Sequence, residues 1–123
     1  MDYSDLIARI EDTGGLDTEG AEQALAATLT TLAERISEEE AEDLASQLPG
    51  EVKAQLTGAG ADGEVFSAEE FVKRVADREG GVAPEEGRRH AEAVLSTLRE
   101  AMSGGEFEDI LLQLPDDYLE LFA

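Results

Sequence analysis

Apolar residues recur along this chain at helical spacing and stop where caps or breakers stand. Tyr3, Leu6, Ile7 and Ile10 form an i, i+3, i+4, i+7 stripe, and Ala68, Phe71, Val72 and Val75 repeat it. Asp2 is the cap expected before the first stripe. Ser67 with Glu70 reads as a capping box before the second. Gly14-Gly15 and Gly80-Gly81 are the expected stops. A longer helix follows in each case, starting after Asp17 or with Pro84 as its first residue. Its buried stripe is Leu25, Thr28, Leu29, Leu32 and Ile36, or Ala91, Val94, Leu95, Leu98 and Met102. Ser37-Glu38-Glu39-Glu40 and Ser103-Gly104-Gly105-Glu106 then offer Ser-x-x-Glu boxes for a third helix. That helix buries Ala41, Leu44, Ala45 and Leu48, or Phe107, Ile110, Leu111 and Leu114. Pro49 and Pro115 interrupt it, and a short fourth helix carries Val52 and Leu56, or Tyr118, Leu119 and Phe122. No segment alternates β-branched residues with period two, so no strand is expected.

The two sets are one pattern written twice. Sliding the chain by 66 positions gives 11 identities over the 29 positions from Thr28 to Leu56, among them Ser37/Ser103, Glu40/Glu106, Asp43/Asp109 and Gln47-Leu48-Pro49/Gln113-Leu114-Pro115. Upstream the offset is 65, pairing Leu6, Ile7, Arg9, Ile10 and Asp12 with Phe71, Val72, Arg74, Val75 and Asp77, so the one-residue difference falls in the Gly-Gly turn. The expected architecture is all-α: two tandem four-helix repeats, residues 1–57 and 67–123, joined by a Gly-rich connector at 58–66. The repeats pack as one helical bundle about a pseudo-twofold axis, because each half-core is small for a self-sufficient domain.

These motifs resemble the family catalogued as domain of unknown function 2267, over essentially the whole chain. The most specific pieces are Leu95-Ser96-Thr97-Leu98-Arg99-Glu100-Ala101, Ser103-Gly104-Gly105-Glu106 and Gln113-Leu114-Pro115-Asp116-Asp117. Copy one departs from them at Ser37-Glu38-Glu39-Glu40 and at Gly50-Glu51. The resemblance implies a small duplicated helical bundle without an established activity.

Charge narrows the function classes. Thirty acidic residues against nine basic ones give a formal charge of -21, split -12 and -9 between residues 1–62 and 63–123. Such a surface repels phosphate backbones and anionic lipid, so neither nucleic acid nor membrane is an expected partner. The composition resembles that of cytoplasmic proteins of extreme halophiles, and an ordinary acidic mesophile protein fits the same counts. No apolar run reaches the ~18 residues of a membrane span, and the N-terminal residues do not read as a signal peptide, so the expected location is cytoplasmic. Without cysteine there is no disulfide, thiolate nucleophile or Cys-based metal site.

Candidate chemistry is sparse. Residues 62–69 fit the end of an EF-hand loop, but its first and third positions would be Gly58 and Gly60, which carry no ligand oxygen. His90, the single histidine, is expected on a solvent-facing or inter-repeat helix surface. The acids Glu38, Glu39, Glu40, Glu42, Asp43, Glu106, Glu108 and Asp109 complement helix N-termini and attract cations diffusely. Arg74, Arg78, Arg88, Arg89 and Arg99 are expected to pair with neighbouring acids. No catalytic, cofactor or metal residues are assigned. The expected partner surface is the tail, Tyr118, Leu119, Leu121 and Phe122. The leading reading is a non-enzymatic helical interaction module that binds an unidentified protein or a second copy of itself. The alternative is a small-ligand carrier or enzyme using carboxylates or His90 in the inter-repeat groove.

Overall fold

A computed structural model of the 123-residue chain describes residues 1–57 and 63–122, so most of the Gly-rich connector, with the EF-hand-like positions 58, 60 and 62, lies outside the described residues. The helices are α1 (Tyr3–Gly14), α2 (Thr18–Arg35), α3 (Glu38–Ser46), α4 (Lys53–Thr57), α5 (Ala68–Arg78), α6 (Pro84–Ala101) and α7 (Gly104–Leu112). A 3-10 turn at Gly50–Val52 runs directly into α4, and a 3-10 helix spans Asp116–Phe122. There is no strand among the described residues.

Local chemistry sets the helix starts. Asp2 accepts the Asp5 N–H at 2.8 Å while Asp5 returns a bond to the Asp2 N–H, which satisfies two otherwise orphaned donors. Asp17, Ser37, Ser67 and Ser103 accept the N–H three residues on, at Gly20, Glu40, Glu70 and Glu106. The expected box at Ser67 is only half formed, because the Glu70 carboxylate turns to Arg74 at 2.9 Å. Helix α1 ends at Gly15 in the left-handed region, φ 65°, where a Cβ would be strained.

The stripes meet in one core. Each of α1 and α5 packs on both long helices, α2 and α6, and α3 packs on α4 and α7. Leu6, Ile10, Leu29, Phe71, Val75, Val94, Leu95 and Leu98 are fully buried. The stripes of both halves feed one continuous interior.

Close approach is purchased locally by small residues. A Cβ placed on Gly87 of α6 would stand 2.7 Å from the Ala76 Cβ and 3.1 Å from its Cα, so glycine and alanine set the spacing of α5 and α6.

Proline acts differently in the two places. After Pro49 the 3-10 turn relaxes into α-helix, whereas after Pro115 the chain stays 3-10 to Phe122. At three residues per turn, Tyr118 and Leu121 share a face, and both are fully buried.

Candidate functional site

The α3 and α7 N-termini meet through exchanged contacts. Gln113, just beyond α7, accepts the Ser37 backbone N–H through Oε1 at 2.9 Å and donates from Nε2 to Ser37 Oγ at 3.2 Å. Gln47, just beyond α3, accepts the Ser103 backbone N–H at 2.8 Å. In a closed capping box those N–H groups would go to Glu40 and Glu106. The glutamines take their place, and both carboxylates are left on the inside of the junction.

Glu40 and Glu106 are 8% and 7% exposed, and one oxygen of each has no hydrogen-bond partner. With Asp109 they form a group whose nearest oxygens all lie within 4.8 Å of one another. Desolvation, reinforced by the facing Glu40 and by Asp43 and Asp109, pushes the Glu106 carboxyl up to about 8. Among the described residues no Lys, Arg or His forms an ion pair with this group.

His90 departs from expectation. It is 6% exposed, and its Nδ1 stands 2.8 Å from the Glu79 carboxylate at the end of α5. The reason is the tight α5/α6 packing at Gly87, which carries the following turn of α6 inward against the end of α5. Burial pushes the Glu79 carboxyl above its ordinary range, opposed by the imidazole. Glu79 borders a shallow concavity of about 470 Å³ with Gln23, Ala27, Thr30 and Arg78, and His90 is not among its lining residues.

The tail also requires correction. Tyr118, Leu121 and Phe122 are core side chains, and only Leu119, 51% exposed, stands open. The Tyr118 ring meets Phe71 edge to face at 5.6 Å, and its hydroxyl donates to the Phe66 carbonyl at 2.7 Å. Phe122 packs edge-on to Phe107 at 5.3 Å. These aromatic contacts bury the rings inside the chain.

A concavity of about 780 Å³ lies between α5, the start of α6 and the C-terminal 3-10 helix. Ala68, Val72 and Pro84 supply apolar lining, and Glu69, Glu70, Glu85, Asp117 and Glu120 surround them with Lys73 and Arg88. Arg88 already pairs with Glu92 at 3.2 Å and Glu120 at 3.3 Å.

Of the other arginines in the expected group, Arg74, Arg78 and Arg99 serve the fold. Arg78 and Arg74 both reach Glu34 of α2, at 2.8 and 3.3 Å, and Arg74 also binds Glu64 and Glu70. Those two guanidinium groups hold the Glu34 carboxyl below its usual range, Arg78 more strongly. Arg9 of α1 pairs with Glu100 of α6. Arg99 lies over the Phe107 ring at 5.0 Å, and Arg89 is exposed.

Sequence reasoning missed the Gln47 and Gln113 crossings and the facing of Glu40 and Glu106. The doubled Gln-Leu-Pro was the available signal, because a glutamine repeated beside a helix-ending proline has a role that packing of leucine does not explain.

Fold and site together define a strongly acidic, all-α helical protein. Its sequence matches the family described as "Uncharacterized conserved protein (DUF2267)" over residues 3–121, and the chain belongs to that family. No curated protein matches it. No helix among the described residues is long and apolar enough to cross a membrane.

Proposed function

We propose that this chain is a non-enzymatic helical interaction module whose partner is a basic, amphipathic protein segment seated in the groove between α5, α6 and the C-terminal 3-10 helix. The observation that carries this reading is the groove's composition: an apolar lining from Ala68, Val72 and Pro84, with five carboxylates against two cations around it. An apolar face on the partner removes exposed Pro84 and the apolar floor of the groove from water, and its lysines or arginines answer the carboxylates. The chain's charge of -21 speeds encounter with such a partner and repels acidic competitors. The cytoplasm is the compartment this reading assigns.

The architecture belongs to the same proposal. The chain is two copies of one four-helix unit, residues 1–57 and 67–123, about a pseudo-twofold between α3 and α7. Its support is that contacts recur at the 66-residue offset: Ser37–Gln113 with Ser103–Gln47, and the back-bonds of Thr31 to Ala27 and Thr97 to Ala93, both 2.8 Å. The acidity fits a salt-rich interior, where the Debye length falls to ~3 Å at 1 M and surface self-repulsion is screened.

The test is amide shift mapping of isotope-labelled protein with a synthetic leucine-lysine helix as probe, in salt high enough to suppress diffuse attraction. Shifts gathered on α5, the start of α6, Asp117 and Glu120 support the groove. Shifts spread over every acidic face, or a second copy of the chain occupying the same residues, contradict it.

A further inference from the structure

We propose that the junction of α3 and α7 is a binding site for calcium, held by Glu40, Glu106 and Asp109. Two independent features of the junction point to a cation. One is the set of oxygens: a carboxylate oxygen from each residue, all within 4.8 Å of one another. The other is that Glu40 Oε1 and Glu106 Oε1 are shut off from solvent and have no hydrogen-bond partner, on side chains more than nine-tenths buried. Buried oxygens that carry charge are ordinarily hydrogen-bonded, paired or bound to metal.

The fold spends specific residues on this arrangement. Ser37 and Ser103 each begin a helix with a glutamate three residues on, which is the sequence of a closed capping box. Gln113 and Gln47 occupy the N–H groups that would close the boxes, and the glutamate carboxylates face each other across the junction instead. Asp43, the counterpart of Asp109 at the 66-residue offset, adds a fourth negative group acting on Glu106. A doubly charged cation between the two inward carboxyl groups favours their ionised forms and draws α3 and α7 together.

The donor set selects the ion. It offers oxygen alone, without nitrogen or sulfur, which suits hard cations and not zinc or copper. Two oxygens on opposite sides of one calcium ion stand about 4.6–5.2 Å apart, given bond lengths of 2.3–2.6 Å. Around magnesium the same span is about 4.0–4.2 Å. A group contained within 4.8 Å lies inside the span of one calcium ion, and calcium's flexible coordination shell accepts an irregular set of carboxylates more readily than magnesium's near-octahedral one. Three protein carboxylates leave the remaining positions to water, so the dissociation constant belongs in the weak range of about 10⁻⁴–10⁻³ M.

The experiment is thermal unfolding and calorimetric titration with calcium chloride, at constant ionic strength near 1 M potassium chloride, where diffuse attraction to the surface is screened. The wild type is expected to bind one calcium ion per chain and to gain about 10 °C at calcium about 100 times the dissociation constant. Magnesium at the same concentration gives a smaller gain. Glu106→Gln keeps the side chain's shape and removes one inward carboxyl, so without calcium it is expected to unfold at or above the wild-type midpoint and to lose the calcium shift. Asp109→Asn, at an exposed position, is the second variant, with the shift at least halved. Glu108→Gln, exposed on the same helix, retains the full shift. The proposal is overturned if Glu106→Gln and Asp109→Asn keep the wild-type response, because binding is then diffuse. It is equally overturned if the wild type shows no calcium response, because the facing carboxyls are then satisfied by a shared proton.

Discussion

The side chain of Gln113 occupies the backbone N–H of Ser37, 76 residues earlier in the chain, at 2.9 Å. It thereby completes the start of a helix to which it does not belong. Gln113→Ala leaves that part-buried donor unpaired and removes the second bond to Ser37 Oγ, with an expected cost of about 1–1.5 kcal/mol in urea unfolding. Gln47→Ala is expected to cost less, because the Ser103 site is exposed and water replaces the lost acceptor. Equal and negligible effects of both substitutions would show that neither glutamine holds the junction.

Gly87 sets two effects against each other. Alanine in mid-helix is favoured over glycine by about 1 kcal/mol. The added Cβ, however, meets Ala76 at 2.7 Å, including its backbone Cα at 3.1 Å, and backbone cannot swing away as a flexible side chain does. Forcing packed helices apart costs typically about 1–3 kcal/mol, so the clash wins and Gly87→Ala is expected to lower the unfolding midpoint. A raised midpoint would mean that α5 and α6 are free to separate.

Tyr118 reports on the interior through its titration. Its hydroxyl is pushed up to about 12, chiefly by desolvation, from an ordinary value of 10.0. The unfolded chain therefore ionises first, and the stability contributed by the neutral phenol is lost as pH rises from about 10 through about 12. Ultraviolet titration of tyrosinate is expected to show Tyr3 ionising before Tyr118, with unfolding accompanying the second step. Tyr118→Phe should remove that step and cost about 1 kcal/mol at neutral pH through the lost hydroxyl bonds to the Phe66 and Ser67 carbonyls, the former keeping its bond from Arg35 Nε. A single tyrosine transition near 10 would contradict the buried placement.

Salt acts in two directions. The ion pairs of Arg74 and Arg78 with Glu34 weaken as salt screens them, but partly exposed pairs contribute only about 0–1 kcal/mol each. Thirty acids on a small surface repel one another over the whole molecule. Repulsion is the larger effect, so the urea midpoint is expected to rise from dilute buffer to about 1 M potassium chloride, where the Debye length is ~3 Å. A falling midpoint would assign the stability to the ion pairs.

What the sequence disclosed follows the range of the interactions. Asp2, Asp17, Ser37, Ser67 and Ser103 act three residues along the chain, so their caps were legible, as were the stripes they precede. Gln47 and Gln113 act on a residue 56 and 76 positions away, and no local pattern carries that information. The tail was misplaced for a different reason. Read as an α-helix, Tyr118, Leu119, Leu121 and Phe122 point several ways, whereas the 3-10 winding after Pro115 puts Tyr118 and Leu121 on one inward face. His90 was expected on a solvent-facing or inter-repeat helix surface because its arginine neighbours are polar; its partner Glu79 lies at the end of the preceding helix, brought close by the contact at Gly87.

The most direct test of the interaction reading is the affinity of the leucine-lysine helix for three forms of the protein that isolate place from total charge. Glu69→Gln/Glu120→Gln removes two charges from the groove, and Glu39→Gln/Glu42→Gln removes two from exposed positions of α3. Calorimetry in high salt is expected to show at least a tenfold loss for the groove pair and less than a twofold change for the α3 pair, relative to wild type. Equal losses for the two pairs would contradict the account, because binding would then follow net charge and not the groove.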